Sequence, residues 1–180
     1  FKNVCEAGGN AEALVWYDGG LESGERISWS YRDLWARANE VARSLLTCGV
    51  GKGTRVGILM TNRPEYLAAT FGTALAGGVA TTLSTFSTAA ELEHLVGASC
   101  ISVLLMERQI LKKDFVKILG DIDPALARDK AGEIASTKYP FLTHVAAIGE
   151  GHGAAENWLD FIARGTGISQ DRVDARAASN

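Results

Sequence analysis

Residues Gly53–Val96 read GTRVGILMTNRPEYLAATFGTALAGGVATTLSTFSTAAELEHLV, and the order of signals along them decides the fold class. Arg55–Met60 (RVGILM) is a short, nearly continuous apolar run between turn-rich flanks, which predicts a strand buried on both faces. Asn62 is an N-cap candidate, and Pro64 falls in the first turn of the following helix, where its missing N–H costs nothing. Tyr66, Phe71, Ala74 and Leu75 give that helix an apolar face. Gly72, Ala76, Gly77 and Gly78 keep its far end small, for close approach to a sheet. Val79–Leu83 predicts the next strand. Thr88 and Glu91 then form a capping box that opens a helix with Leu92, Leu95 and Val96 inward. The sequence of strand, helix, strand, loop and helix implies right-handed βαβ units and parallel pairing.

The flanks extend this pattern. Upstream, Ala13–Tyr17 and Arg26–Trp29 are β-prone and are separated by Asp18-Gly19-Gly20 and Ser23-Gly24, which predicts an antiparallel hairpin with a long loop. Ser30 and Asp33 form a loose capping box for an amphipathic helix over Tyr31–Cys48, with Gly49 as its C′ residue. Downstream, Ile101–Leu105 predicts a buried strand. Ile110, Leu111, Phe115, Ile118, Leu119 and Ile122 mark a long helix stopped by Pro124. Ala125–Pro140 reads as a polar connector, Leu142–Ile148 as a final strand and Glu156–Ala163 as a short helix. Arg164–Asn180 shows no periodicity and reads as a linker or tail. The class is α/β, a mostly parallel sheet with helices on both faces preceded by an antiparallel hairpin. Residues 1–163 make one α/β unit, and 164–180 lead away from it.

Composition narrows the function classes. At 47% hydrophobic and 22% charged, a chain of 180 residues can bury an ordinary core. A net charge of −3 without like-charge blocks argues against a nucleic-acid surface. No apolar run is long enough to span a bilayer, no signal peptide is visible, and a cytoplasmic location is expected. Cys5, Cys48 and Cys100 are scattered, with no CxxC, so neither a disulfide framework nor a zinc site is indicated. No metal-binding cluster is expected.

Two glycine-rich segments imitate phosphate-binding loops. Gly49–Thr54 (GVGKGT) has Gly53 between its Lys and Thr, and it runs from helix into strand, the reverse of a P-loop. Gly149–Ala154 (GEGHGA) fits GxGxxA after a strand. Glu150 would set a carboxylate where a pyrophosphate should sit, and no acidic-ended strand follows. A surface turn is the simpler reading, with dinucleotide binding as an alternative. His94, His144 and His152 are isolated, no GxSxG occurs, and Glu91 is accounted for by capping. Read from its residues alone, the chain offers no catalytic constellation.

Five segments in order nevertheless resemble the adenylate-forming enzymes, the family of acyl-CoA synthetases, luciferases and peptide-synthetase adenylation domains. They are Ile27–Leu34 (ISWSYRDL), Val50–Leu59 (VGKGTRVGIL), Asn62–Tyr66 (NRPEY), Ala74–Val79 (ALAGGV) and Thr88–Leu92 (TAAEL). The resemblance implies the N-terminal part of an AMP-forming acyl-CoA ligase. Such an enzyme would use ATP, Mg²⁺ and coenzyme A to activate a carboxylic acid, with a fatty or other hydrophobic acid favoured. The phosphate loop, the acidic motif and the C-terminal lysine of that family are not in these residues. The expectation is a fragment that is inactive alone, binds none of these cofactors tightly, and meets the remainder of its own polypeptide or another copy through exposed apolar faces. A catalytically incomplete binding or regulatory module is the alternative. By the same resemblance, Ser84, Thr85, Phe86 and Ser87 lie near the coenzyme A channel, with Arg108 as the nearest cation for one of its phosphates. No catalytic residue is assigned.

Overall fold

The structure, a computed structural model, describes residues 1–19 and 24–179. Helix α1 (Lys2–Gly8) precedes β1 (Glu12–Asp18), which pairs antiparallel with β2 (Glu25–Ser30), as the sequence predicts. The predicted loop residues at positions 20–23 lie outside the described residues. Helix α2 (Tyr31–Thr47) opens on a full capping box: Ser30 N–H donates to Asp33 Oδ2 at 2.9 Å, and Asp33 N–H donates to Ser30 Oγ at 3.2 Å. Past its end Gly49 takes a φ of 77° and Gly53 one of 79°, so Gly49–Thr54 is the helix-to-strand turn expected of it.

Strand β3 (Arg55–Leu59), helix α3 (Pro64–Leu75), strand β4 (Val79–Thr82) and helix α4 (Ala89–Ala98) follow the quoted stretch, except that Arg63 and not Asn62 is the N-cap residue of α3, and no side chain caps it. Thr88 N–H donates to Glu91 Oε2 at 2.8 Å and Glu91 N–H donates to Thr88 Oγ1 at 3.3 Å, the second capping box. Gly72 differs in its role. A Cβ there would lie 2.7 Å from both the Ala38 carbonyl oxygen and Val41 Cβ, so the glycine admits α2 against α3, and no sheet is involved.

Beyond β5 (Val103–Glu107) the single long helix expected over 110–122 is corrected. Its first turn is a two-stranded hairpin, β6 (Gln109–Ile110) and β7 (Lys113–Asp114), and only Phe115–Ile122 is helical (α5). Asp114 explains the boundary, because its carboxylate accepts the Lys117 N–H at 3.0 Å and caps α5. Leu111, counted as a core position by spacing, is 88% exposed at the hairpin tip. Pro124 starts a helix as well as stopping one: α6 (Pro124–Arg128) occupies the front of the expected connector, with Asp123 accepting the Ala125 N–H at 3.0 Å.

Strand β8 (His144–Ile148) and a short strand β9 (Ala155–Asn157) precede α7 (Trp158–Arg164), so the helix expected from Glu156 begins two residues later, where Asn157 caps it. The tail reading of 164–180 also changes. A 3₁₀ turn (Gly165–Gly167) and helix α8 (Gln170–Ala178) fold back on α2. Val173 is fully buried, Arg43 Nη1 donates to Gln170 Oε1 at 3.1 Å, and Lys2 pairs with Asp174 at 2.9 Å. One buried residue in nine leaves no readable period, so polar partners hold this helix and its sequence looks like a tail.

The five-stranded sheet has the order β4-β3-β5-β8-β9 and is parallel throughout. Side chains alternate across it with period two. Val56, Ile58, Val103, Leu105 and Ala146 pack in one core that includes Val41 and Leu45 of α2, Ala68 of α3, Phe161 of α7 and Val173 of α8. Leu59, Leu104, Met106, Val145 and Ala147 pack in the other with Leu92 of α4 and Phe115 of α5. The result is a three-layer α/β/α unit with helices on both faces.

Candidate functional site

The chain passes from β3 to β4 on one side, then crosses back to β5 on the other. The carboxyl ends of β3 and β5 therefore form the topological switch point, the place in an open parallel sheet where a crevice opens. Here protein groups fill it. Glu107, the last residue of β5 and 8% exposed, accepts from Thr61 N–H at 2.6 Å, Thr61 Oγ1 at 2.7 Å and Arg63 Nη1 at 2.8 Å. Arg63 also donates through Nε to Glu65 at 2.8 Å and lies 5.5 Å from the Trp16 ring centre, tying hairpin β1–β2 to this end of the sheet. None of these roles was read from the sequence. Arg63 and Glu65 share the start of α3, but Trp16 and Glu107 lie on other elements, and no local signal joins them to it.

The four loop residues singled out by resemblance do come together. Ser84–Ser87 form the connection from β4 to α4, folded by Phe86 N–H to Ser84 Oγ at 3.2 Å and Ser87 N–H to the Ser84 carbonyl at 3.2 Å. Ser87 is buried, whereas Phe86 is 86% exposed. Ser84, Phe86 and Ser87 line an open concavity with Ala90, Glu91, His94 and Leu95 of α4. The hydrogen bond from Thr88 N–H, with that from its hydroxyl, holds the Glu91 carboxyl below the usual carboxylate range.

Arg108 stands at the base of hairpin β6–β7. Its Nε and Nη2 donate to Asp114 Oδ2 at 3.3 and 3.2 Å, and its Nη1 donates to the Glu150 carbonyl at 2.9 Å. Among the described residues no hydrogen bond joins it to the 84–87 loop. The two are linked through the hairpin: Asp114 holds Arg108, and the adjacent Lys113 reaches the loop. Lys113 Nζ donates to the carbonyls of Thr85, Phe86 and Ser87 at 3.2, 3.0 and 2.8 Å. Sequence reading missed Lys113 because it placed the residue inside a helix. The Asp114 N-cap before an apolar run was the signal that could have freed it.

Gly149–Ala154 is a compact crossover. It runs from β8 into β9, two parallel neighbours, with His152 and Ala155 bridged. A Cβ at Gly151 would sit 2.5 Å from the Ala155 carbonyl oxygen, and one at Gly153 2.5 Å from that of Ala127. The alternating glycines thus serve a tight return along the strand. The turn leads into strand β9 rather than directly into a helix, and Gly151 lies against the backbone of Asn157, the N-cap of α7.

The described residues hold no group of three or more His, Cys, Asp or Glu able to bind a metal ion, and no helix long and apolar enough to cross a membrane. All three cysteines are free thiols.

With this geometry in view, the comparisons agree on one family. The profile of the family described as AMP-binding enzyme matches residues 1–155. The chain belongs to that family, and its three-layer unit with a leading hairpin is the N-terminal part of the adenylate-forming fold. It is 29% identical over 148 residues to the YngI protein of Bacillus subtilis (strain 168), covering 82% of this chain and 26% of that one. It is 34% identical over 95 residues to the acyl-CoA ligase sidI of Beauveria bassiana (strain ARSEF 2860), covering 53% of this chain and 16% of that one. The long-chain-fatty-acid-CoA ligase FadD1 of Archaeoglobus fulgidus superposes with a TM-score of 0.66 at 16% identity, over 92% of this chain and 29% of that one, a likeness of fold. The chain spans less than a third of the length of each of these relatives.

Proposed function

We propose that this chain is the N-terminal portion of an AMP-forming acyl-CoA ligase, and that Ser84–Ser87 with Arg108 line part of its coenzyme A channel. The observation that carries the reading is the family match over residues 1–155 combined with a nearly bare aromatic ring, Phe86, on a loop at the carboxyl side of a parallel sheet. An exposed aromatic face beside hydroxyl groups suits the flat base of a nucleotide-bearing thiol. Arg108 fits more narrowly. Three of its five N–H groups are engaged, and Asp114 and Glu150 flank it, so only its remaining donors are open to a phosphate.

The residues present do not fit ATP or Mg²⁺, since no phosphate loop and no metal-ligand group occurs among those described, and no chemical step is assigned to them. In the intact ligase, ATP with Mg²⁺ would supply the adenylyl group for the carboxylate of a fatty or other hydrophobic acid, with pyrophosphate as the leaving group. The exposed apolar residues Val79 of edge strand β4, Phe141 and Leu159 suit contact with the rest of the polypeptide or a second copy.

The test uses the longer ligase. Phe86→Ala is expected to raise the KM for coenzyme A about tenfold, a loss within the range for one base–aromatic stack, and to leave ATP–pyrophosphate exchange intact. Arg108→Ala should raise the same KM by a smaller factor. An unchanged KM in both variants removes the channel assignment, and robust pyrophosphate exchange by these 180 residues alone would overturn the reading of them as a part.

A further inference from the structure

The structure assigns Lys113 as the positioning residue of the Ser84–Ser87 loop, an internal cation that fixes how Phe86 is presented. Three successive carbonyls, those of Thr85, Phe86 and Ser87, converge on its Nζ at 3.2, 3.0 and 2.8 Å. In a strand, successive carbonyls point alternately to opposite sides, and in a helix they point along the axis. Bringing three to one point requires an irregular turn and sets three negative dipole ends against each other. A cation relieves that repulsion, and an ammonium has three N–H donors, all of which are used here. Lys113 forms no salt bridge among the described residues; the three carbonyls are its hydrogen-bond acceptors, with the Phe115 ring centre 5.9 Å from Nζ and the Glu91 carboxylate close enough for the lysine to help lower its pKa.

The arrangement also says what Lys113 does not do. With its donors consumed, it is not the channel's phosphate-binding cation. Its work is mechanical: the loop's most exposed residue gains no anchorage from burial, and the tie to β7 supplies it. The same two-residue strand sends Asp114 to Arg108. One hairpin therefore sets the position of both groups proposed for the channel, and the catalytic consequence of the tie rests on that proposal.

Hydrogen exchange on this chain tests the tie separately from any ligase activity. Lys113→Ala is expected to speed exchange of the Phe86, Ser87 and Thr88 amides by about tenfold or more, and added ethylammonium, filling the vacated position, should slow it again. Lys113→Met keeps the stem and loses the donors, so it should loosen the loop equally while disturbing the hairpin less. Lys112→Ala, next door and exposed, should change nothing. Unchanged exchange at these amides in both Lys113 variants, or loosening that ethylammonium does not reverse, overturns the assignment. In the longer ligase, Lys113→Met should raise the KM for coenzyme A with adenylation spared, and ethylammonium should lower that KM in Lys113→Ala. A loosened loop with an unchanged KM would leave the tie standing and remove the channel reading.

Discussion

Glu107 receives Arg63 at 2.8 Å across the carboxyl ends of β3 and β5, with both side chains largely withdrawn from water. An ion pair in this setting gains little over an apolar filling but is costly to break, because the surviving partner keeps a desolvated charge. Glu107→Ala strips Arg63 of one of its two carboxylates and leaves the Thr61 N–H without an acceptor. The expected loss is about 3 kcal/mol, measured by urea unfolding. Adding Arg63→Met to Glu107→Ala should recover part of it. A single-variant loss below about 1 kcal/mol would show that the pair is solvated.

Gly72 lies where α3 touches the backbone of α2. In an exposed helix, Gly→Ala gains about 1 kcal/mol from propensity. Here the new methyl would stand 2.7 Å from the Ala38 carbonyl oxygen, a backbone atom that cannot step aside cheaply. Overpacking costs about 1–3 kcal/mol, so Gly72→Ala should be a net destabiliser with a lowered Tm. A raised Tm would mean that the two helices can part without cost.

Leu111 holds a φ of 54° at the tip of the β6–β7 hairpin while 88% exposed. A branched side chain pays roughly 1–2 kcal/mol in this left-handed region, and Asn pays less. Leu111→Asn gives up almost no burial, so it should stabilise the chain by about 0.5–1 kcal/mol. Thermal unfolding would show it, and a destabilised variant would mean that Leu111 packs in solution.

Burial pushes the Cys48 thiol up to about 11, with the Thr47 hydroxyl and Arg164 pulling it down less strongly and Glu156 pushing it up. The folded state thus holds this proton more firmly than the unfolded chain, whose thiol titrates near about 8.5. The stabilising contribution is intact below that pH and is lost as pH rises through the folded value. Between pH 8 and 11, Cys48→Ala should show a shallower fall in stability than the unchanged chain. Parallel slopes in the two proteins would exclude the effect.

The five segments that carried the family resemblance all fall on elements whose signals are local. A capping box needs only Ser30 and Asp33, or Thr88 and Glu91, and both boxes form as read. The buried strands announce themselves because a parallel sheet covered on both faces needs apolar residues on both. Misreadings fall where a local rule met a distant partner. Leu111 keeps helical spacing but has nothing to pack on, so a hairpin forms there. Residues 170–178 have one buried side chain, and α2 supplies the partners that make them a helix. The Ser84–Ser87 loop was singled out by resemblance; its tie to Lys113, 26–28 positions away, was invisible in the sequence.

The sequence by itself determined the α/β class, the strand–helix order from β1 to β5 and the family, because hydrophobic period, caps and glycine turns act within a few residues of one another. It also settled that Gly49–Thr54 is a turn between helix and strand, since direction of chain travel can be read without coordinates. The tertiary structure alone decided which charges meet. It set Glu107 against Arg63 at the switch point, turned the Gly149–Ala154 imitation into a tight return between β8 and β9, and brought three carbonyls onto one ammonium. Those relationships join residues far apart in the chain, and only the packing of the sheet fixes the distances between them.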